Sequence, residues 1–202
     1  MRTPLDRLTR FRGGATLPRM DTEAVSRAAF DLGFSYEAKY RSCGQCVVAA
    51  VQGALGIRND FAFKCASSLG AGIGKLCDGS CGAYTGSAMM ISLFWGRTRD
   101  KFDGDLENKK AADRLTVSLH QKFVREFGSI TCREIHDRLF GRRFDLWNEA
   151  DKAAFDAAGA HRDKCTGVVA NAAAWVTGLI LGELAVRGQT LEEFKNLSHP
   201  GT

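Results

Sequence analysis

The sequence predicts an all-α fold, a single-domain helical bundle of about seven or eight helices with a glycine-rich loop. Only 3 prolines occur in 202 residues, and the alternation of β-branched residues that marks strands is scarce. Apolar residues instead recur at the 3.6-residue spacing of helices in most parts of the chain. With 45% hydrophobic and 25% charged residues, the composition is typical of a globular protein that buries one core.

Helix start and stop signals divide the chain into three parts. We expect residues 1–20 to form a basic, flexible N-terminal arm, 21–187 to form the helical, cysteine-rich domain, and 188–202 to form a short C-terminal helix and tail. The first expected helix follows an N-cap at Asp21 or Thr22, the second runs from Cys43 to a stop at Gly56, and the third covers about 60–69 with Phe61, Cys65 and Leu69 inward. The next three run from Cys81 to about Trp95, over 106–127, and from Cys132 to a stop at Gly141. The last three run from Asn148 to about Ala158, begin at about Cys165, and lie near Thr190.

Two local patterns refine these helices. Thr131-Cys132-Arg133-Glu134 has the spacing of a capping box, which makes Cys132 the first residue of its helix. In the helix that follows Cys81, Gly82 and Gly86 lie one turn apart, so another backbone can approach that face closely. That backbone belongs either to the same chain or to a second subunit, so a homodimer stays open.

Charge argues against several classes of protein. The net charge is +5, and five arginines against Asp6 give residues 1–20 a charge of +4, which leaves +1 for the rest. A nearly neutral body does not offer the clustered Lys and Arg that nucleic acid requires. The arm could contact an acidic redox partner. The uncharged windows 79–96 and 166–182 are expected as buried core helices rather than membrane spans.

The cysteine count favours a reducing compartment. Seven is an odd number, many of the cysteines stand in apolar surroundings, and the N-terminus has no uninterrupted apolar signal segment. We therefore expect a cytoplasmic protein with free thiols. The glycine-rich segment 70–82 is neither a P-loop nor a dinucleotide fingerprint, because Gly70 and Gly74 are separated by three residues where a P-loop has four.

Four cysteines share an unusual placement, since each stands where a helix is expected to begin. They are Cys43, Cys81, Cys132 and Cys165. The first turn of a helix carries unpaired N–H groups and the positive end of the macrodipole, so it favours a thiolate over a thiol. Thiolates bind metals and attack disulfides. The placement therefore predicts a redox or metal site that collects sulfur from separate helices.

The other cysteines and two histidines carry weaker signals. Cys46 completes a C-x-x-C pair with Cys43, on one helical face. Cys65 is interpreted as a core cysteine, and Cys77 as either a core residue or a resolving thiol. His136, one turn after Cys132, either pairs with that thiolate or, as we favour, faces solvent. His161 precedes Cys165 and is a possible ligand or hydrogen-bond donor.

Several motifs in order resemble those of one family. These are Cys43-Gly-Gln-Cys46, Cys81-Gly-Ala-x-x-Gly86, Cys132-Arg-Glu-Ile, Phe144-Asp-Leu-Trp147 and Asp163-Lys-Cys165. Over about residues 24–187 the chain is similar to the redox-active C-GCAxxG-C-C family, in its longer C-x-Q-C form. The resemblance assigns the family cysteines to Cys43, Cys81, Cys132 and Cys165 and implies cysteine-based redox chemistry. Cys65 and Cys77 match no family motif position.

Three functions are compatible with these features. The first is an electron carrier, rather than a substrate-specific enzyme, that binds an iron–sulfur cluster through Cys43 or Cys46 with Cys81, Cys132 and Cys165. In this hypothesis Gly79 and Gly82 let backbone N–H groups approach the sulfurs. The second is a cofactor-free thiol–disulfide oxidoreductase that uses Cys43 and Cys46. The third is a helical structural or partner-binding protein stabilised by zinc.

Overall fold

The computed structural model describes residues 21–195, and these residues form the predicted all-α bundle. They contain no strand, and one isolated antiparallel bridge joins Ser80 to Thr131. The nine α-helices of the described residues are α1 (Thr22–Tyr40), α2 (Cys43–Leu55), α3 (Asp60–Cys65), α4 (Gly82–Trp95), α5 (Leu106–Phe127), α6 (Cys132–Phe140), α7 (Glu149–Ala157), α8 (Cys165–Arg187) and α9 (Glu192–Lys195). The predicted arm and residues 196–202 lie outside the described range.

Helix α8 lies at the centre of the bundle. Helices α1, α2, α4 and α5 all pack against it, and its apolar residues, among them Val169, Val176 and Ile180, are fully buried. Among residues 21–195, the helical stretch Ala160–Arg187 is the one long and apolar enough to cross a membrane, and 61% of its most apolar window is buried inside the molecule. A helix that is apolar on all sides suits a position surrounded by other helices.

The glycines of α4 allow α4 to cross α2 at very short range. A Cβ atom on Gly86 would lie 2.6 Å from the carbonyl oxygen of Gly44 and 2.5 Å from Cγ1 of Val47. On Gly82 it would lie 2.5 Å from the sulfur of Cys43. Packing within the chain therefore accounts for the glycine face predicted from the sequence. This crossing fixes the start of α2 beside the start of α4.

Most of the predicted helix ends are confirmed. The Asp21 carboxylate accepts the N–H groups of Glu23 and Ala24, and the Asn148 side chain accepts the N–H of Asp151. Left-handed glycines end four of the described helices, at Gly56, Gly128, Gly141 and Gly188. These caps satisfy backbone groups that the helix itself leaves unpaired.

The predicted capping box at α6 is wrong, although α6 does begin at Cys132. Thr131 makes no side-chain cap; its N–H donates to the Ser129 hydroxyl at 2.9 Å, and that hydroxyl donates to the Glu134 carboxylate. The bridge to Ser80 holds Thr131 in an extended conformation. Ser129 therefore links the Thr131 N–H to the Glu134 carboxylate, a contact that a capping box would make directly.

The apolar face predicted for residues 60–69 is wrong at Phe61 and Cys65, whereas Leu69 packs against the main core as predicted. The α-helix ends at Cys65 and continues as a 3₁₀ turn over Ala66–Leu69. Cys65 is exposed, Phe61 is 63% exposed, and Ala66 is the buried residue. The change from 3.6 to 3.0 residues per turn rotates the face that meets the core.

Helix α8 has no free N-terminus at Cys165. A π-helical turn, Ala160–Lys164, runs directly into it, and the Cys165 N–H donates to the Ala160 carbonyl. The unpaired N–H groups expected at this cysteine are therefore absent. Of the four predicted helix starts, those at Cys43 and Cys132 are the first residues of their helices, and Cys81 is the residue just before α4.

Candidate functional site

A cavity of about 400 Å³ lies where the starts of α2, α4, α6 and α8 approach the end of α1. The four cysteines singled out from the sequence line it together: Cys43, Cys81, Cys132 and Cys165. All four are free thiols, buried or half-buried. Residues up to 122 positions apart, from 43 to 165, thus contribute sulfur to one enclosed space.

The glycine-rich loop forms one wall of the cavity. Its backbone has positive φ at six positions, of which four are not glycine: Ala71, Ile73, Lys75 and Cys77. Such left-handed residues cost about 1 kcal/mol each and persist only where surrounding contacts hold them. The loop is held by hydrogen bonds to the start of α6, from the Cys132 N–H to Gly79 and from the Arg133 N–H to Cys77. These bonds carry Cys77 next to Cys132.

Cys43 and Cys81 form one pair of thiols at the α2–α4 crossing. The Ala71 N–H donates to the Cys43 sulfur at 3.4 Å. A hydrogen bond with Cys81, together with burial, raises the pKa of Cys43 well above its ordinary value. In the absence of a cation, Cys43 therefore stays a neutral thiol at physiological pH.

Cys77, Cys132 and His136 form a second group, of which Cys132 and His136 line the cavity. All three are buried, and their ligand atoms lie within 4.8 Å of one another. The Cys132 sulfur is 3.6 Å from His136 Nε2. Metal–sulfur and metal–nitrogen bonds of usual length at a tetrahedral angle separate these atoms by about 3.6 Å. The three side chains therefore have the geometry of a metal site.

Within this group, Cys77 and Cys132 shift each other's pKa. A hydrogen bond from Cys132, helped by His136, lowers the pKa of Cys77 to about 5, whereas the hydrogen bond with Cys77 and burial raise the pKa of Cys132. At neutral pH Cys77 is therefore a thiolate that Cys132 stabilises. This cysteine matches no motif in the sequence, and only the fold of the loop brings it to Cys132.

The favoured solvent-facing role for His136 is wrong. The residue is 3% exposed, and its ring contacts those of Phe140, Phe144 and Phe155. Its Nδ1 atom is buried without a hydrogen-bond partner among the described residues. In the sequence, the spacing of four between Cys132 and His136 indicated that the two side chains lie on one helical face. The aromatic residues near 144 indicated that this face is buried.

These positions agree with a comparison against known families. The family model described as "Putative redox-active protein (C_GCAxxG_C_C)" matches residues 41–179, more than two thirds of the chain. The chain belongs to this family. In this C_GCAxxG_C_C protein the central motif reads Cys81-Gly82-Ala83, with cysteine and glycine in the reverse of the order in the family's name. No curated protein and no solved structure matches the chain significantly.

Cys46 does not share the cavity with the other cysteines of this C_GCAxxG_C_C protein. It is 3% exposed, within the main core, and it does not line the cavity. Burial, together with the negative charge of Glu37, raises its pKa well above the ordinary value. The Glu37 carboxylate favours the neutral Cys46 thiol over the thiolate, so this cysteine is not activated as a nucleophile.

The two glycines predicted to bind a cofactor both make close backbone contacts. Gly79 donates its N–H to the Gly72 carbonyl at 3.2 Å and accepts the N–H of Cys132 at 3.0 Å. Gly82 packs directly on Cys43 and Gly44. Both therefore position cysteines, and their contact with a cofactor stays a prediction.

A buried carboxylate completes the cavity wall and was not identified from the sequence. Glu37 is 2% exposed and lines the cavity from the end of α1. Its Oε1 lies 3.5 Å from His161 Nδ1, and His161 Nε2 lies 3.5 Å from Asp156 Oδ1. Asp156 is in turn paired with Arg41 at 2.8 Å. The spacing of four that Glu37 shares with the buried residues Ala29 and Gly33 was the signal for it.

Proposed function

We propose that this protein is an electron carrier whose cavity cysteines hold an iron–sulfur cluster. The observation that supports this most directly is the convergence of Cys43, Cys81, Cys132 and Cys165 on one cavity. Four thiolates are the usual ligands of such clusters, which supply one-electron chemistry when bound. The membership in a family described as redox-active agrees with this role.

The electrostatics of the cavity fit a cationic cofactor. Burial and the charges of Glu37 and Cys43 raise the pKa of Cys165, and the hydrogen bond with Cys81 raises that of Cys43. Several thiolates close together are unfavourable in a buried site unless a cation compensates them. Metal ions that replace the protons would remove this penalty, so the affinity for metal should rise with pH.

Backbone donors would tune the bound group. The Ala71 N–H already points to the Cys43 sulfur, and N–H groups directed at sulfur raise the reduction potential of iron–sulfur sites. The mouth of the cavity carries the exposed side chain of Trp147 as well as Lys75 and Lys152. A positively charged rim of this kind suits an acidic redox partner.

A zinc site is the second candidate. It is favoured by the single-ion geometry of Cys77, Cys132 and His136. The thiol–disulfide hypothesis at Cys43 and Cys46 receives less support, because Cys46 lies outside the cavity and its pKa is raised. Metal analysis separates the three possibilities.

The test is the content of iron, acid-labile sulfide and zinc per chain after anaerobic purification, together with a visible spectrum. We expect iron and sulfide in equal amounts in the wild type and their loss in Cys81→Ser and Cys132→Ser. Cys65→Ser is the matched control, since Cys65 is exposed and outside the cavity. Zinc without iron, if it is lost in His136→Ala but kept in Cys43→Ser, would support a mononuclear zinc site and refute the cluster. A metal-free protein after reconstitution would refute both.

A further inference from the structure

The part of the cavity wall that α1 contributes is suited to proton transfer. A carrier that only exchanges electrons has no need of a buried carboxylate in the cavity that would hold its cofactor. Glu37 is 2% exposed, and its Oε2 is buried without a hydrogen-bond partner among the described residues. Because an unsatisfied buried oxygen costs free energy, such an atom indicates a ligand or a transferable proton.

Glu37 is connected to the surface through two further side chains. His161 bridges Glu37 Oε1 and Asp156 Oδ1, with 3.5 Å to each from its two ring nitrogens. The three side chains become progressively more exposed, with 3% for Glu37, 16% for His161 and 33% for Asp156. Imidazole is suited to this position, because one nitrogen can accept a proton while the other releases one.

The π-helical turn explains how His161 reaches this place. The turn over Ala160–Lys164 follows a left-handed Gly159, whose carbonyl accepts three successive N–H groups, from Arg162, Asp163 and Lys164. π turns are rare and occur frequently at functional sites. Here the turn brings His161 to Glu37 of α1 and Asp156 of α7, and it sets Cys165 one further turn along the same helix.

We propose that Asp156, His161 and Glu37 form a proton-transfer chain that couples proton uptake to reduction of the redox group in the cysteine-lined cavity. The inference rests on the proposed redox function. It adds that the site takes up a proton with an electron. The protein is therefore equipped to reduce a small substrate that needs protons as well as electrons, bound in the cavity between Glu37 and the cysteines.

The transfer is balanced in protons and charge. Asp156 accepts a proton from solvent and passes it to His161 Nε2, and His161 Nδ1 gives its own proton to Glu37. The electron comes from an external one-electron donor, for which dithionite serves in the test. Only O–H and N–H bonds form and break, and the return of the ring to its first tautomer completes the cycle. Small side-chain rotations close the 3.5 Å separations.

The charges around Glu37 are consistent with proton uptake on reduction. An added electron in the cavity makes the site more negative, which favours the neutral form of a nearby carboxylate. The titratable and charged groups that face this end of the cavity are Arg41 after α1, Cys43 and Cys46 on α2, Asp156 on α7, His161 in the π turn and Cys165 on α8.

The experiment is redox-difference infrared spectroscopy of the full-length protein, oxidised and then reduced with dithionite. In the wild type we expect reduction to produce a carboxylic-acid band that shifts in D₂O. In Glu37→Gln this band should be absent, and in His161→Gln its appearance should slow by at least tenfold. The matched control is Glu183→Gln, which removes a buried carboxylate that lies outside the cavity and is paired with Arg114 and Arg187. Circular dichroism confirms that each variant is folded.

The possible outcomes distinguish the proton-transfer chain from the cofactor. An unchanged band in Glu37→Gln, or no carboxyl band in the wild type, overturns the proton-transfer chain whatever metal is bound. Iron and sulfide without the carboxyl band would support the cluster and refute the proton-transfer chain. The band in a protein without iron would support the chain and refute the cluster, and reduction would then concern the cavity thiols alone.

Discussion

The close crossing of α2 and α4 predicts a large effect from a single methyl group. The substitution Gly86→Ala places a Cβ atom 2.5 Å from Cγ1 of Val47 and 2.6 Å from the Gly44 carbonyl oxygen. Val47 is fully buried, and the second contact is backbone, so neither neighbour can move without displacing α2. Overpacking of this kind typically costs about 1–3 kcal/mol, and contact with backbone places this case near the upper limit.

The helix preference for alanine offsets part of this cost. Alanine is favoured over glycine by about 1 kcal/mol inside a helix, so the net loss of unfolding free energy should be about 2 kcal/mol. In a chain of this length that corresponds to a decrease of about 4–8 °C in the melting temperature. The same displacement would separate Cys43 from Cys81 and should reduce the metal content.

The assay is urea denaturation followed by circular dichroism, with the metal content measured on the same samples. Gly182→Ala in α8 is the matched control, because Gly182 is exposed and a Cβ atom there meets no atom within 4 Å. The control should gain about 1 kcal/mol from helix preference alone. If Gly86→Ala is as stable as the wild type, or is stabilised like the control, the close crossing is refuted.

Three further predictions concern the thiols and one cap. In metal-free protein the unfolding free energy should fall as pH rises above the ordinary thiol pKa of 9.0, because the unfolded chain then loses protons that Cys165 and Cys43 retain. The expected slope is about 1.4 kcal/mol per pH unit for each thiol of raised pKa. Cys165→Ser should show a weaker loss, and a profile that this substitution leaves unchanged would contradict the assigned pKa direction. The rate of Cys77 alkylation, measured by peptide mass spectrometry, should have its pH midpoint near 5, and this midpoint should move to higher pH in His136→Phe. The control His120→Phe should leave it unchanged. An unchanged midpoint in His136→Phe as well would exclude His136 as a cause of the low Cys77 pKa. Thermal melts should detect a loss of about 1 kcal/mol in Ser129→Ala, since its hydroxyl accepts the Thr131 N–H. Thr131→Ala should change the stability little, because the Thr131 hydroxyl makes no cap bond; a larger loss in Thr131→Ala than in Ser129→Ala would restore Thr131 as the cap.

Local sequence signals predicted the helices well because helix ends depend on nearby residues. Asp21, Asn148 and the glycines after α2, α5 and α6 act within one turn of their own positions. The failures occurred where a contact distant in sequence changed the local choice. His136 was expected to face solvent, but Phe144 and Phe155, which lie outside α6, cover its ring.

The cysteines illustrate the same limit. Helix starts and family motifs identified the four that line the cavity. Nothing local distinguishes Cys65, which is exposed, from Cys77, which is buried beside Cys132. Burial depends on what packs against a residue, and the partners of Cys77 come from α6 and the aromatic residues after it.

The sequence by itself determined the all-α class, most helix boundaries, the four cavity cysteines and the close glycine face of α4. Periodicity, caps and glycines encode these features within about one or two helical turns. Only the tertiary structure decided that Cys77 and His136 join Cys132, that Cys46 lies outside the cavity, and that Glu37 and His161 lie 3.5 Å apart in its wall. These relations join residues from separate helices, and the packing that brings them together is not written in any short stretch of the chain.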